Sequence, residues 1–334
     1  MKIANTLMTF FLVALAGEIS LGASHNDFQR FRRGTYNFEL ETQYFKSDAN
    51  YISSGDSFQR LPTGQWYELW NFLIKARYDL SKSSAWYGHL NVGLANSSGF
   101  DANRSSSSLA DATFGFAYLL YDDGIDVISD FNILFPFNKI SENTDAVMNS
   151  EGVIEAGGLL RVQKQFSWYV PFGYLGGIYR QDRSTLLPWG IGSEFQWKTV
   201  ILGGKIFGYQ TIMDDPNKDR KNLRLIVNDR VNGGSLRFYA VNPSLVDSEI
   251  YVKFKIGKAL SVSVGGGTTL TGSSAAAGFH GTANVTYTWD SQPSYYLRRS
   301  NELSTDSDMD PEKRGPIFKE EVNDGVDQKI FKKR

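Results

Sequence analysis

Apart from one short run near its start, the chain has no stretch apolar enough to cross a bilayer as a helix, which takes roughly 20 apolar residues. Segment after segment instead alternates strictly between polar and apolar residues. In GTYNFELETQYF (34–45), Tyr36, Phe38, Leu40, Thr42 and Tyr44 fall on one face and Asn37, Glu39, Glu41 and Gln43 on the other. A period of two is the signature of a strand whose faces meet different surroundings. Strands can span lipid only when every backbone N–H and C=O is paired, which requires a closed barrel.

The alternation recurs in WYELWNFLIKARYDL (66–80), AWYGHLNVGLA (85–95), ATFGFAYLLY (112–121), GIDVISDFNILF (124–135), EGVIEAGGLLRVQ (151–163), SWYVPFGYLGGIYR (167–180), PWGIGSEFQW (188–197) and TVILGGKIFGYQTI (199–212). It continues through NLRLIVNDR (222–230), GSLRFYAVN (234–242), SEIYVKFKI (248–256), ALSVSVGGGTTL (259–270) and GFHGTANVTYTW (278–289). The reading is an all-β, antiparallel, up-and-down transmembrane barrel of about 14 strands, within a range of 12–16. Even-numbered connections are short (LSKSS, DD, KQF, K, VNG, GK), whereas odd ones such as 47–65, 97–110 and 136–150 are long and polar. Outer-membrane barrels have short periplasmic turns and long external loops, so an even strand count returns both termini to the periplasm. A soluble sandwich fits less well, because the segments exceed ordinary strand length and aromatic residues gather at their ends. With 17 Tyr and 23 Phe, the composition suits aromatic girdles.

The opening MKIANTLMTFFLVALAG is a basic n-region followed by a short apolar run, the form of a secretory signal. Cleavage is expected after Ala23, with Ala16 as the other candidate, and residues 24–33 then form a short periplasmic lead into a barrel over 34–290. Residues 291–334 carry nine basic and nine acidic residues and few large apolar ones. Such a segment cannot bury enough surface to fold alone and is expected to be a disordered periplasmic tail, a contact for the cell wall or a periplasmic protein. The last strand, ending in Tyr287 and Trp289, is the expected recognition element for barrel-assembly machinery.

FKSDANYISSGDSFQRLPTGQWYELWNFLIKARYDLSKSSAW, SLADATFGFAYLLYDDGIDVISDFNILFPF and GFHGTANVTYTW resemble the meta-pathway phenol-degradation family of outer-membrane barrel proteins, distant relatives of the fatty-acid and toluene channels. The resemblance covers most of 34–290. It implies a channel in the outer membrane of a Gram-negative bacterium, by analogy for small hydrophobic or aromatic compounds. Two features depart from it: the ten residues Ser24–Arg33 are too few for the plug of fatty-acid channels, and the charged tail follows the strand that normally ends such a chain.

Positions opposite the apolar face should line the lumen. The candidates are Lys75, Arg77, His89, Asp130, Glu155, Arg161, Glu194, Lys205, Arg237, Glu249, Lys253 and His280, with Glu39, Glu41 and Lys255 sharing their parity. These residues either fill and stiffen the barrel as salt bridges or form a constriction that tunes which solute passes. Small and apolar residues of the same parity, including Gly115, Gly157, Gly173, Leu175, Gly190 and Gly265, either relieve crowding or make an apolar slide. No catalytic site is expected, since neither His89 nor His280 has a serine two positions away on the same face and no Asp–His pair occurs. No cofactor or metal is expected: cysteine is absent, and DSDMD (306–310) lacks the glycine and terminal glutamate of a calcium loop. Near-zero net charge gives no basic surface for nucleic acid. The function implied is a channel or porin-like transporter for small solutes, the alternative a closed-lumen barrel that anchors loops and a tail. A closed barrel resists detergent until heated, so unboiled protein should migrate faster than boiled protein on a denaturing gel. Equal migration would contradict the fold reading.

Overall fold

In the computed structural model, which describes residues 31–52 and 58–291, the alternating segments become strands. These are β1 (Thr35–Tyr51), β2 (Phe58–Arg60), β3 (Trp66–Asp79), β4 (Ser84–Ser98), β5 (Asn103–Tyr121), β6 (Asp126–Pro136), β7 (Glu155–Gln163), β8 (Tyr169–Arg180), β9 (Thr185–Trp197), β10 (Val200–Met213), β11 (Ser244–Ile256), β12 (Leu260–Ser273) and β13 (Ala275–Asp290). All belong to one antiparallel sheet, and β13 pairs with β1. The three-residue β2 only folds back on the end of β1, so the other twelve strands make the wall. Twelve is the lower bound of the sequence reading. The signal segment, its two cleavage points and the tail beyond Ser291 lie outside the described residues.

Closure is visible in side chains as well as pairing. Thr288 Oγ1 donates to Asn37 Oδ1 at 2.8 Å and Thr286 Oγ1 to Glu39 Oε2 at 3.4 Å across the β13–β1 seam, while the rings of Tyr36 and Trp289 lie 5.2 Å apart. The wall therefore begins and ends at the same end of the barrel. At this terminal end the outer surface carries rings from neighbouring strands, among them Tyr36 with Tyr78 at 4.5 Å, Trp86 with Phe116 at 4.9 Å and Tyr169 with Phe195 at 5.1 Å. Near the opposite end, Tyr44 packs on Trp70 at 4.7 Å and on Phe279 at 5.4 Å. Tyr36 and Tyr44 are eight residues apart on β1. With strand rise and barrel tilt this places the two aromatic belts on the order of 20 Å apart, near the height of a membrane-embedded apolar band. Between them the outer face exposes Leu40, Ile74, Phe114, Phe131, Ile191 and Ile250.

Two of the expected strands are absent. Residues 222–230 lie in a helix, α1 (Lys221–Val231), preceded by a 3-10 turn at Lys218–Arg220, and 232–243 is irregular. Leu223, Leu225 and Val227 alternate as a strand would. The residues buried are Arg224, Val227, Asn228 and Val231, which follow the helical spacing of three and four. VNG, expected to be a tight turn, is the helix terminus. Gly233 and Gly234 have φ of +59° and +82°, and Gly234 N–H donates to the Asn228 carbonyl at 3.0 Å, a left-handed helix ending that favours glycine. Removing two strands preserves even parity, so the terminal topology is unaffected.

Several strands also outrun their expected ends. NRSSSSLA (103–110), assigned to a loop, is the first half of β5; with serine on both faces it carries no polarity contrast. β7 starts at Glu155 rather than 151, and 271–277 is a hairpin turning at Ser274, φ +48°. β8 and β9 pair from Tyr169↔Phe195 to Leu175↔Trp189 and again at Ile178↔Leu186. The ladder is interrupted where Gly176 and Gly177 face the stretch containing Pro188, which has no N–H to give.

Ile250, 69 % exposed at the middle of β11, tests the outer face. Ile250→Lys should destabilise the barrel by about 2–4 kcal/mol in equilibrium unfolding from lipid vesicles, whereas an unchanged midpoint would place this face in water.

Candidate functional site

The inner face is built by the second parity of each strand, and its polar residues join across neighbouring strands. Lys75 on β3 donates to Glu39 Oε1 at 3.2 Å and to Glu41 on β1. Gln43 donates to Glu41 Oε1 at 2.6 Å and accepts from Asn71 at 3.4 Å. Around the barrel, Tyr87 on β4 and Arg161 on β7 both donate to Asp130 on β6, the latter at 2.9 Å. On the far wall, Lys205 lies 3.3 Å from Glu249, His280 Nε2 lies 3.9 Å from the same carboxylate, and Tyr251 donates to Glu194 at 2.9 Å. These ions are largely removed from bulk water, so each pair depends on its partner for compensation.

Three inward tyrosines share one device. Tyr87, Tyr174 and Tyr251 stand directly opposite Gly115, Gly190 and Gly203 on the adjacent strand. A Cβ on Gly190 would come within 2.5 Å of the Tyr174 ring, and one on Gly115 or Gly203 closer still to its tyrosine. Each glycine leaves room for a ring laid against the wall. At these positions glycine relieves crowding rather than forming an apolar slide.

The end opposite the termini is closed by two connections. The β6–β7 loop (137–154) contributes Ile140, Val147 and Met148, and the β10–β11 connection (214–243) contributes Val227, Val231, Phe238 and Tyr239. These pack against Phe45, Tyr67, Leu69, Ala95 and Ala276 of the wall in one apolar cluster. The amide of Asn50 on β1 fastens this loop cap, donating to the Gly234 carbonyl at 2.8 Å and accepting from Leu236 N–H at 2.9 Å. Tyr67 donates to the Met148 carbonyl at 2.6 Å and Ser97 to the Val231 carbonyl at 2.6 Å. Asn232 Oδ1 accepts from Met148 N–H at 3.1 Å, tying the two connections together. Gly233 sits where a Cβ would strike the carbonyls of Ser98 and Trp66. Asp229 on α1 has its pKa raised by burial. At the terminal end Phe31 is buried against Ala85, Ala117 and Ile128, with the Arg77 guanidinium 4.7 Å over its ring. Asp79 holds this entry by accepting from Arg32 N–H at 2.8 Å and Arg77 Nε at 2.7 Å. The described residues leading into β1 place one ring in the mouth.

The charged positions expected to line the lumen are placed as follows. Asp130, Arg161, Glu194, Lys205, Glu249, Lys253 and His280 are buried on the inner parity; Lys75, Arg77, His89 and Glu155 share it with more exposure, His89 standing opposite Lys75 in register and Glu155 opposite Arg180. Arg237 is inside the barrel but on the loop cap rather than a strand, its guanidinium 3.8 Å over the Phe45 ring. Lys255 is exposed at the end of β11. Gly173 and Leu175 were expected inside, but β8 turns Phe172 and Tyr174 inward and leaves Leu175 54 % exposed; both of its faces are apolar and glycine-rich, so polarity gives no phase. Tyr87 falls on the polar face expected of its strand, whereas the sequence reading contains neither Phe31, nor Arg180 and Arg183 at the β8–β9 end, nor the cap residues Glu151, Asp215 and Arg224. The 3.6-residue spacing of α1 was the one signal available for the last of these. Among the described residues no cluster of three or more metal-ligating side chains occurs.

No family model and no curated protein matches the chain. Solved structures do share the fold. An outer membrane channel from Pseudomonas putida F1 superposes with a TM-score of 0.61 at 9 % identity, covering 80 % of this chain and all of that one. The NanC porin gives 0.44 at 7 % identity over 75 % and 98 % of the two chains. The P. putida toluene transporter TodX gives 0.41 at 8 % identity over 78 % and 91 %. The first likeness establishes the architecture of an outer-membrane barrel, in agreement with the fold implied by the sequence resemblance.

The tyrosine–glycine device is testable. Gly203→Val should cost about 1–3 kcal/mol through overpacking, and Tyr251→Ala in the same chain should recover part of that loss in urea unfolding from lipid vesicles. Equal stability of Gly203→Val and the parent would contradict the packing described.

Proposed function

We propose that the protein is an outer-membrane channel for small solutes, with both barrel termini in the periplasm and the loop cap outside. The observation that carries this reading is the composition of the interior. A barrel serving only as an anchor needs an apolar outside, but this one also lines its inside with charged and hydrogen-bonding groups from wall to wall, as a path for polar or amphipathic solutes requires. The likeness of fold to the P. putida channel supports the same reading. Small hydrophobic or aromatic compounds are the solute class drawn from the sequence resemblance, and the rings of Phe45 and Tyr67 on the wall and of Phe238 in the cap suit them. The tail beyond Ser291 is proposed to contact the cell wall or a periplasmic protein, and the β13 end to be read by barrel-assembly machinery.

The cap and Phe31 favour a second reading, a barrel kept shut as an anchor for its loops and tail. Single-channel recording in planar bilayers separates the two. The channel reading expects discrete conductance steps, with Phe31→Ala increasing the current by widening the terminal mouth. Absence of any current from both proteins, at every voltage and with every solute tried, would leave the anchor.

A further inference from the structure

Charge is distributed unevenly around the terminal rim of the barrel. One part of the rim is mixed: the lead into β1, the β3–β4 and β5–β6 turns and the end of β13 expose Arg32, Arg33 and Lys82 together with Asp122, Asp123 and Asp290. The other part is formed by three consecutive turns, after β7, β9 and β11. Lys164, Lys198 and Lys258 lie in these turns and Lys255 at the end of β11, with no acid in 164–168, 197–199 or 254–259. All four lysines are exposed, and among the described residues none of them has an ion-pair partner. Lys198 stands in a two-residue turn at φ +45°, a left-handed conformation uncommon for any residue but glycine, asparagine or aspartate.

These turns are joined to one another and stand over an aromatic surface. The Trp168 carbonyl accepts from Gln196 N–H at 2.8 Å, and the Thr199 carbonyl from Lys255 N–H at 2.7 Å. On the outer wall just below, Phe195 packs against Tyr169 at 5.1 Å, Trp168 at 5.7 Å and Trp197 at 6.3 Å, and Lys164 Nζ lies 5.2 Å over the ring of Phe166. Trp168 and Trp197 are each more than half exposed. Rings of this kind mark the depth of lipid headgroups. Lysines at the adjoining turns therefore sit at phosphate depth, where the long side chain lays its methylenes on apolar surface and keeps its ammonium in water.

We propose that this lysine sector is a docking surface for an anionic phospholipid, with the phosphodiester of phosphatidylglycerol as the group recognised. Four cations without a neighbouring acid are complementary to a headgroup that carries a net negative charge. A zwitterionic lipid brings its own ammonium, which the lysines repel. Each lysine at an anionic lipid surface contributes about fivefold in affinity, and a sector of four accumulates what a single rim lysine among aspartates does not. The exposed rings supply a surface for the glycerol backbone and upper acyl chains, which a soluble phosphate lacks. The inference rests on the proposed orientation, in which the terminal end faces the periplasm and its phospholipid leaflet rather than the lipid A of the outer one.

Native mass spectrometry of the full chain, released from detergent containing equimolar phosphatidylglycerol and phosphatidylcholine of matched acyl chains, tests the sector without requiring any current. The parent should retain phosphatidylglycerol at least tenfold over phosphatidylcholine. Replacing the four residues together, as Lys164→Gln, Lys198→Gln, Lys255→Gln and Lys258→Gln, should abolish that preference. Lys82→Gln, in the mixed part of the rim, should leave it intact. Heat-modifiable migration confirms that each variant is folded. Equal retention of the two lipids by the parent, an undiminished preference in the fourfold variant, or its loss in Lys82→Gln would overturn the proposal. Orientation is read separately: a membrane-impermeant maleimide should label Thr199→Cys only after the outer membrane is permeabilised. Labelling in intact cells would refute the orientation and the leaflet drawn from it, whereas absence of a lipid preference in a correctly oriented barrel would refute the sector alone.

Discussion

Lipid offers no partner for a peptide N–H or C=O, and the β13–β1 seam is where this chain meets that demand. Without it twelve strands would present two open edges to hydrocarbon, each unpaired group costing several kcal/mol. The pairing is reinforced inside by Thr288 with Asn37 and Thr286 with Glu39 and outside by Tyr36 with Trp289. Closure also fixes which parity faces lipid on every strand, and hence which residues are forced together in the lumen.

What the lumen does with them is pack. Ion pairs cross from strand to strand, three tyrosines lie over glycines on the adjacent strand, and the two longest connections fold back against the wall instead of standing free. The result is an interior that is polar in its chemistry but filled at both ends, by an apolar cap at one and by Phe31 at the other. Transport through such a barrel depends on displacement of these closures. The cap is fastened to the wall by Asn50, Tyr67 and Ser97, and also by Arg104, Asn149 and Arg180.

Much of this was legible because a membrane strand writes its two environments into alternate residues. Leu40 and Glu39, or Ile250 and Glu249, declare their faces without any neighbour's help. Where the contrast vanishes, the reading fails for the same reason. Serine on both faces hid the first half of β5, and apolar residues and glycine on both faces of β8 concealed that Tyr174 rather than Leu175 points inward. Residues 222–230 failed differently: a helix with Leu223, Leu225 and Val227 alternates by coincidence, and only tertiary burial of Arg224, Asn228 and Val231 reveals its period. Arg237 was placed in the lumen for the wrong reason. Arg183 and Glu151 could not be found from sequence at all, since their contacts run among three separate connections.

The 214–243 connection is held inside the barrel against β1 and closes it. The chain has no cysteine, so a pair introduced as Asn50→Cys and Leu236→Cys reports on that contact alone. In outer-membrane preparations the pair should crosslink rapidly on mild oxidation, and single-channel current should fall in the oxidised protein and return on reduction. Failure to crosslink, or a current indifferent to the crosslink, would contradict the account.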